Sequence, residues 1–501
     1  MKWKKFAFVF AVTAALAAPA FATDLKIGIG EDPDALDPDQ SRTFVGEVIF
    51  AAMCDKLVAI TPQLDLIPQL ATEWAWSGDG TILTMTLRDG VTFQDGTPFN
   101  AEAVVANIDR SMNLPESRRK SELTSIENVK ANGDLEVVFT LNAPDATLLA
   151  RFAARSGAMM SPTAFNAAGL DFANGPVCVG PFKFRERIQQ DRIVLDKDPN
   201  YWNADAIHFD SVTYLPILDS TVRLANLRSG DLDIIERVAA TDLDSATSDT
   251  GLTVAQSPGL GYAGITININ NGAGADTPFA KNKLLRQAFS LAIDRQALNQ
   301  VVFNGAFTPG NQPFPPNSPW YDQDIPVPAR DIDKAKALML EAGVDSVDVA
   351  LTVPNNPQSL QIAQVLQSMV AEAGFKLTVN ATEFATMLAA QTAGDYQADL
   401  VGWSGYVDPD ANLNQFVTCA GGINDTKYCN PEIDELMSAA RASTDPAVRK
   451  QNYDAARVIL NQDLPLMYLY HSTWIWAMDK GLTGFVPYPD GLIRLEDVTK
   501  G

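Results

Sequence analysis

The sequence predicts an α/β protein built from more than one packed unit. Strand-like stretches with period-two alternation and helix-like stretches with a 3.6-residue apolar period follow one another irregularly along the chain. A length of 501 residues with a 46% hydrophobic share suits two or three packed units better than one. No fixed-period repeat or low-complexity tract occurs, which disfavours solenoids and propellers.

Taken in order, residues 25–29 read as a first strand. Leu83, Met85 and Leu87 alternate with threonines, Arg88-Asp89-Gly90 offers a turn and Val91-Thr92-Phe93 resumes, so a hairpin is expected over 83–93. Asn100 is placed to cap a helix that starts at Ala101 and sets Val104, Val105 and Ile108 on one face. Further strands are expected at 135–141, 193–196 and 265–269. Amphipathic helices are expected at 282–302, 331–342, 358–373, 432–442 and 447–463. The Pro-rich run 309–328 reads as a long loop packed irregularly over a surface.

Charge narrows the class. Against 38 Lys and Arg stand 61 Asp and Glu, a formal charge of −23, so the surface repels a polyanion and nucleic acid is excluded as a partner. Only two histidines occur, His208 and His471, which lowers the prospect of hydrolytic or zinc chemistry, and no metal or cofactor is expected. Lys2, Lys4 and Lys5, an apolar stretch over 6–18 and Ala20-Phe21-Ala22 read as a signal peptide cleaved after Ala22. The apolar stretch is shorter than the ~20 residues that span a bilayer. The expected mature chain has 479 of the 501 residues and, without three lysines, a charge of −26.

Export into an oxidising compartment makes the four cysteines disulfide candidates, and Cys54, Cys178, Cys419 and Cys429 allow three pairings. Proximity favours Cys419 with Cys429, which contributes roughly 2.5–3 kcal/mol in the chain-entropy model. Cys54 with Cys178 then closes a much longer loop, contributing about 5 kcal/mol at most.

Several separated blocks resemble one family. Leu70-Ala71-Thr72-Glu73-Trp74, Ser77-Gly78-Asp79-Gly80-Thr81 and the run from Leu87-Arg88-Asp89-Gly90 through Asp95-Gly96-Thr97-Pro98-Phe99-Asn100-Ala101 resemble the hallmark of the family 5 extracellular solute-binding proteins. These are receptors of ABC importers for dipeptides, oligopeptides, nickel and glutathione. Gly180-Pro181-Phe182, the segment 219–233, Arg286-Gln287-Ala288 to Asp294-Arg295 and the segment 331–343 follow in the family's order. The resemblance implies a two-lobe periplasmic-binding-protein fold of type II, with a subdomain inserted in the first lobe and ligand held between the lobes. It places lobe I at 23–57, 171–263 and 479–501, the insertion at 58–170 and lobe II at 264–478, with crossings near 261–266 and 476–481. It also implies a periplasmic monomer that captures a peptide or peptide-like small molecule and delivers it to permease subunits in the inner membrane.

The most informative stretch for the ligand is Trp403-Ser404-Gly405-Tyr406-Val407-Asp408. It resembles the family's cleft loop, in which dipeptide binders carry an Asp where Tyr406 stands, and Val353 stands where they carry an Arg. Both ionic anchors of a short zwitterionic peptide are therefore missing, unless Asp408 replaces one after a loop shift. Expected contacts are Trp403, Ser404, Gly405, Tyr406 and Asp408 from this loop and Tyr262 from the first crossing. Arg42 and Thr43 complete the set from an N-terminal loop, with Arg42 suited to a carboxylate. His471 is a further candidate near the second crossing. No catalytic residue is expected; the rival is an exported hydrolase using a carboxylate pair. Gly402-Trp403-Ser404-Gly405 lacks the last glycine of a nucleophile elbow.

Overall fold

The structure is a computed structural model that describes residues 23–501; the signal peptide read at 1–22 lies outside the described residues. Two large sheets organise the chain. The first has seven strands in the order Leu252–Pro258, Thr473–Asp479, Ile234–Ile235, Asp24–Ile29, Ser211–Pro216, Arg192–Lys197 and Phe182–Ile188. Asp24–Ile29 is parallel to both neighbours, and its apolar residues Leu25, Ile27 and Ile29 are fully buried. The helix Phe44–Met53 covers this sheet with nine of its ten residues buried, so its sequence is apolar nearly all round.

The second sheet has six strands in the order Thr308–Pro309, Leu466–His471, Tyr262–Ile267, Ala398–Trp403, Val347–Pro354 and Phe375–Thr382. Its last two strands are parallel, and the helix Pro357–Ala371 between them in sequence buries Ile362, Ala363, Leu366 and Val370. Parallel strands need such a crossover. A third core lies between the two passes of the first sheet. There the antiparallel order Ala71–Trp76, Ile82–Leu87, Glu136–Leu141 and Ile126–Ala131 packs with the helix Ala101–Asn113. Cys54 and Cys178 are bonded, with Cα atoms 5.0 Å apart, and so tie the chain's exit into this unit to its return.

Three expectations are corrected. The hairpin expected over 83–93 forms instead between Ala71–Trp76 and Ile82–Leu87. Asp79 closes that turn by accepting from Ser77, from the Thr81 hydroxyl and from the Thr81 amide, whereas Thr92 makes only one bridge, to Pro98. The helix expected over 282–302 is two helices, Lys283–Leu291 and Arg295–Phe303, because Asp294 turns extended and caps the second by accepting from the Ala297 amide. The second crossing, expected at 476–481, falls at Ser472. Thr473–Asp479 already hydrogen-bonds along Leu252–Pro258 in the first sheet. The loop 309–328 is irregular and packed: the Gln312 side chain bonds Asp322, Ile325 and Arg457.

Candidate ligand-binding site

The chain passes from the first sheet to the second between Pro258 and Tyr262 and returns between His471 and Thr473. The two passes are bonded together. The Gly259 amide donates to the Ser472 carbonyl at 3.0 Å, and His471 Nδ1 lies 2.7 Å from the Gly261 carbonyl. His471, the further candidate near the second crossing, is buried, which pushes its pKa down to about 4; bonded to Gly261 and absent from the cavity lining, it braces the crossing. Gly261 cannot be replaced without moving backbone, since a Cβ there would sit 1.7 Å from the Trp403 carbonyl. The cleft loop therefore rests directly on the crossing.

Between the two sheets lies a cavity of about 280 Å³, just under the ~300–1,000 Å³ usual for small-molecule sites. Tyr262 and Trp403 from the second sheet, and Ser404 just beyond it, are among the residues that line it. Trp403 is fixed by an indole N–H bond to Asn412 at 2.9 Å and by edge contacts with Phe416 and Tyr406. Tyr262 stands edge-on to Tyr468, and burial raises its hydroxyl pKa well above the ordinary value. Pro354 and Asn356 line the cavity next to Val353, which is itself wholly buried.

The opposite wall carries arginines. Arg42 lines the cavity but is already occupied: it pairs with Asp425 at 2.7 Å, donates to Thr392 at 2.7 Å and reaches the Leu388 carbonyl and Gln391. Asp425 sits in the loop closed by Cys419–Cys429, so that disulfide holds the acceptor for an arginine from the far side of the cavity. Three more arginines line the cavity that sequence reasoning missed: Arg119, Arg155 and Arg237. Arg119 pairs with Glu122 at 2.5 Å, and Arg155 donates to the Thr43 carbonyl at 2.8 Å and lies 3.3 Å from Glu47. Burial opposes the charge of Arg155, but Glu47 and its neighbours hold its pKa above the ordinary value. Arg237 pairs with Glu31 at 3.1 Å, and burial raises the Glu31 carboxyl despite that partner. No local motif marks these arginines, because they are brought together from separate segments.

Four expected contacts are not among the lining residues. Asp408 is bonded at both oxygens to Arg449, at 2.6 and 2.9 Å, so it has no free edge for an ammonium group. Tyr406 turns its hydroxyl to Arg155 and Glu47, each at 3.1 Å. Thr43 caps the helix Phe44–Met53 and donates to Asp34. Gly405 sits at φ +87 against Leu260, where a side chain would strike backbone. His208 is exposed, and both disulfides favoured by the cysteine spacing are formed.

Comparisons with known proteins agree with this architecture. The glutathione-binding protein GsiB of Pectobacterium atrosepticum is 29% identical over 97% of this chain and 96% of its own length, and that of Escherichia coli K12 is 28% identical over the same shares. Among solved structures, the PBP AgaA of A. tumefaciens R10 in complex with agropinic acid superposes with a TM-score of 0.86 at 26% identity, covering 95% of this chain and 99% of that one. A dipeptide-binding protein of Pseudoalteromonas sp. SM9913 in complex with Met-Leu shares the fold with a TM-score of 0.88 at 24% identity, over 95% and 100%. The model of the bacterial extracellular solute-binding proteins, family 5 Middle, matches residues 65–424. This chain therefore belongs to the family 5 extracellular solute-binding proteins, the solute-binding components of ABC importers.

Proposed function

We propose that the chain captures a peptide-like small solute in the cavity between its two sheets and hands it unaltered to its permease. The observation that carries this is the pairing of walls: Trp403, Ser404 and Tyr262 from one sheet face an arginine-bearing wall reached by Arg42 from the other. An aromatic floor with a few fixed polar groups suits a small solute's apolar body and charged ends. Arg42, Tyr262, Trp403 and Ser404 are read as the ligand contacts. Thr43, Gly405, Tyr406 and Asp408 are read as the residues that hold them in place.

The relatives named for glutathione make that tripeptide the first ligand to test. Ligand contacts on both walls favour the closed arrangement only by their differential affinity for it, and the closed arrangement is what the permease reads. With residues 1–22 removed, the mature chain works as a monomer in the periplasm. Among the described lining residues Glu31 is the one acid, and it is held by Arg237, which supports binding over carboxylate-pair hydrolysis. Calorimetry with glutathione and small peptides, followed by mass analysis of the recovered solute, tests the reading. Saturable binding with the solute recovered intact is expected; turnover, or the lack of any saturable peptide-like ligand, overturns it.

A further inference from the structure

One buried ion pair joins two separate cores. Arg151 lies in the helix Leu148–Phe152, whose Leu148 and Phe152 belong to the core around the four-stranded sheet. Asp410 heads the helix Asp410–Val417, whose Leu413 and Val417 pack with Tyr262, Leu466 and Tyr468 of the second sheet. Arg151 Nη2 donates to Asp410 Oδ2 at 2.5 Å across 259 residues of chain, and neither side chain is more than 3% exposed. The same two surfaces share further bonds. The Gly422 amide donates to the Ser121 hydroxyl at 3.0 Å, and the Ala146 amide donates to the Arg441 carbonyl at 3.0 Å. Neither Arg151 nor Asp410 is among the residues lining the cavity. Arg42 also crosses, to Asp425, but it does so in the cavity wall, where a ligand competes for it.

The pair is the middle link of a chain of four alternating charges. Arg151 also faces Asp145 of its own unit at 3.3 Å, and Asp410 also accepts from Arg441 of its own unit at 2.9 Å. Asp145 is held further by the Ser125 hydroxyl at 2.6 Å and by the amide and hydroxyl of Thr147. When the units part, only the Arg151–Asp410 link breaks, and Asp145–Arg151 and Asp410–Arg441 remain as two neutral pairs. A buried pair whose rupture stranded a lone charge would lock the units together. Here every charge keeps a partner, so the link can break and form again as the units move.

We propose that Arg151 and Asp410 are positioning residues that latch the two units closed from outside the cavity, without a contribution from ligand. Closure favoured in this way reduces the free energy that a ligand must supply to populate the closed arrangement. Its use in capture rests on the reading above, whereas the latch is tested on the chain alone.

The test is small-angle X-ray scattering from the full mature chain, freed of solute by unfolding and refolding, with circular dichroism as the check on folding. The unsubstituted chain is expected to scatter as the closed structure does. Asp410→Asn is expected to raise the radius of gyration by roughly 3% of the ~23 Å of a compact chain this long, at unchanged circular dichroism. Asparagine keeps the shape of the side chain and leaves Arg151 paired with Asp145, so no charge is stranded in the interior. If that variant fails to fold, Arg151→Lys decides. A single ammonium cannot fork between Asp145 and Asp410 as the guanidinium does, so the same opening is expected with the charge retained. A merely structural role would lower the melting temperature and leave the radius of gyration of the folded chain unchanged. An unchanged radius in the variants, or an unsubstituted chain that is already open, overturns the latch and leaves the peptide-like reading standing. The absence of any saturable peptide-like solute in the calorimetry above overturns that reading and leaves the latch standing.

Discussion

The two loops that face each other across the cavity use their charged residues in opposite ways. Around Ser41-Arg42-Thr43, arginines line the cavity while their carboxylate partners do not. Along Trp403–Asp408, the aromatic ring and Ser404 line the cavity, while the loop's one carboxylate, Asp408, is turned inward to Arg449. The same Arg–carboxylate chemistry thus borders the cavity on one side and fixes loop position on the other. What distinguishes the sides is which member of the pair borders the cavity.

The strongest way to break this comparison is to remove Asp408. If the residue is structural, Asp408→Ala strands Arg449 in the interior, where it lies against Trp320 and Tyr453, and unfolding in urea is expected to show a loss of about 3–5 kcal/mol. A ligand contact would behave differently, with weaker binding at unchanged stability. That outcome would place Asp408 with the recognition residues.

A second experiment concerns Asp399, which lies on the strand leading into the same loop, Ala398–Trp403. It is fully buried, and neither carboxylate oxygen has a hydrogen-bond partner. Burial pushes its pKa up to about 8, with the Thr352 hydroxyl on the paired strand and Arg42 opposing the rise and Asp425 adding to it. In the unfolded chain the group titrates near the ordinary ~3.9. Between those values the folded protein holds a proton that the unfolded chain has released, so stability falls as pH rises through this window. Asp399→Asn is expected to remove that slope, and its advantage over the unsubstituted chain should grow by about 2.5 kcal/mol from pH 5 to pH 7. Parallel stability curves for the two proteins would show that Asp399 is ionised and satisfied in the fold.

The contrast between loops also explains what could be read from the sequence. The strand at Asp24–Ile29, the Asn100-capped helix and the helix Pro357–Ala371 announce themselves by period and cap, because both signals are carried within a few residues of chain even though the partners that bury these elements are distant. That Trp403, Ser404 and Tyr262 border the cavity was legible because the loop resembles a family pattern and Tyr262 stands at the strand's start. Arg119, Arg155 and Arg237 were not, since their role depends on long-range packing that brings Ser41, Thr43 and Glu31 beside them. Asp408 was misread for the converse reason. Its partner Arg449 lies 41 residues away, and the sequence between them does not mark the pair. The break at Asp294 shows the same limit locally, as apolar spacing continues through a residue whose side chain caps the next helix.

The smallest expected effect sharpens the aromatic side. Trp403 is held by Asn412 and by Phe416, so its ring is already in position before ligand arrives and little ordering is required on binding. Replacing it with alanine removes the stacking face and leaves the arginine wall intact. Affinity for the true ligand should weaken by ~1 kcal/mol or more, measured by calorimetry. The Asn412 carboxamide still accepts from the Tyr406 amide at 2.8 Å and donates to its carbonyl at 3.0 Å, so the loop keeps its shape without the indole. An unchanged affinity would make Trp403 a packing residue for Phe416.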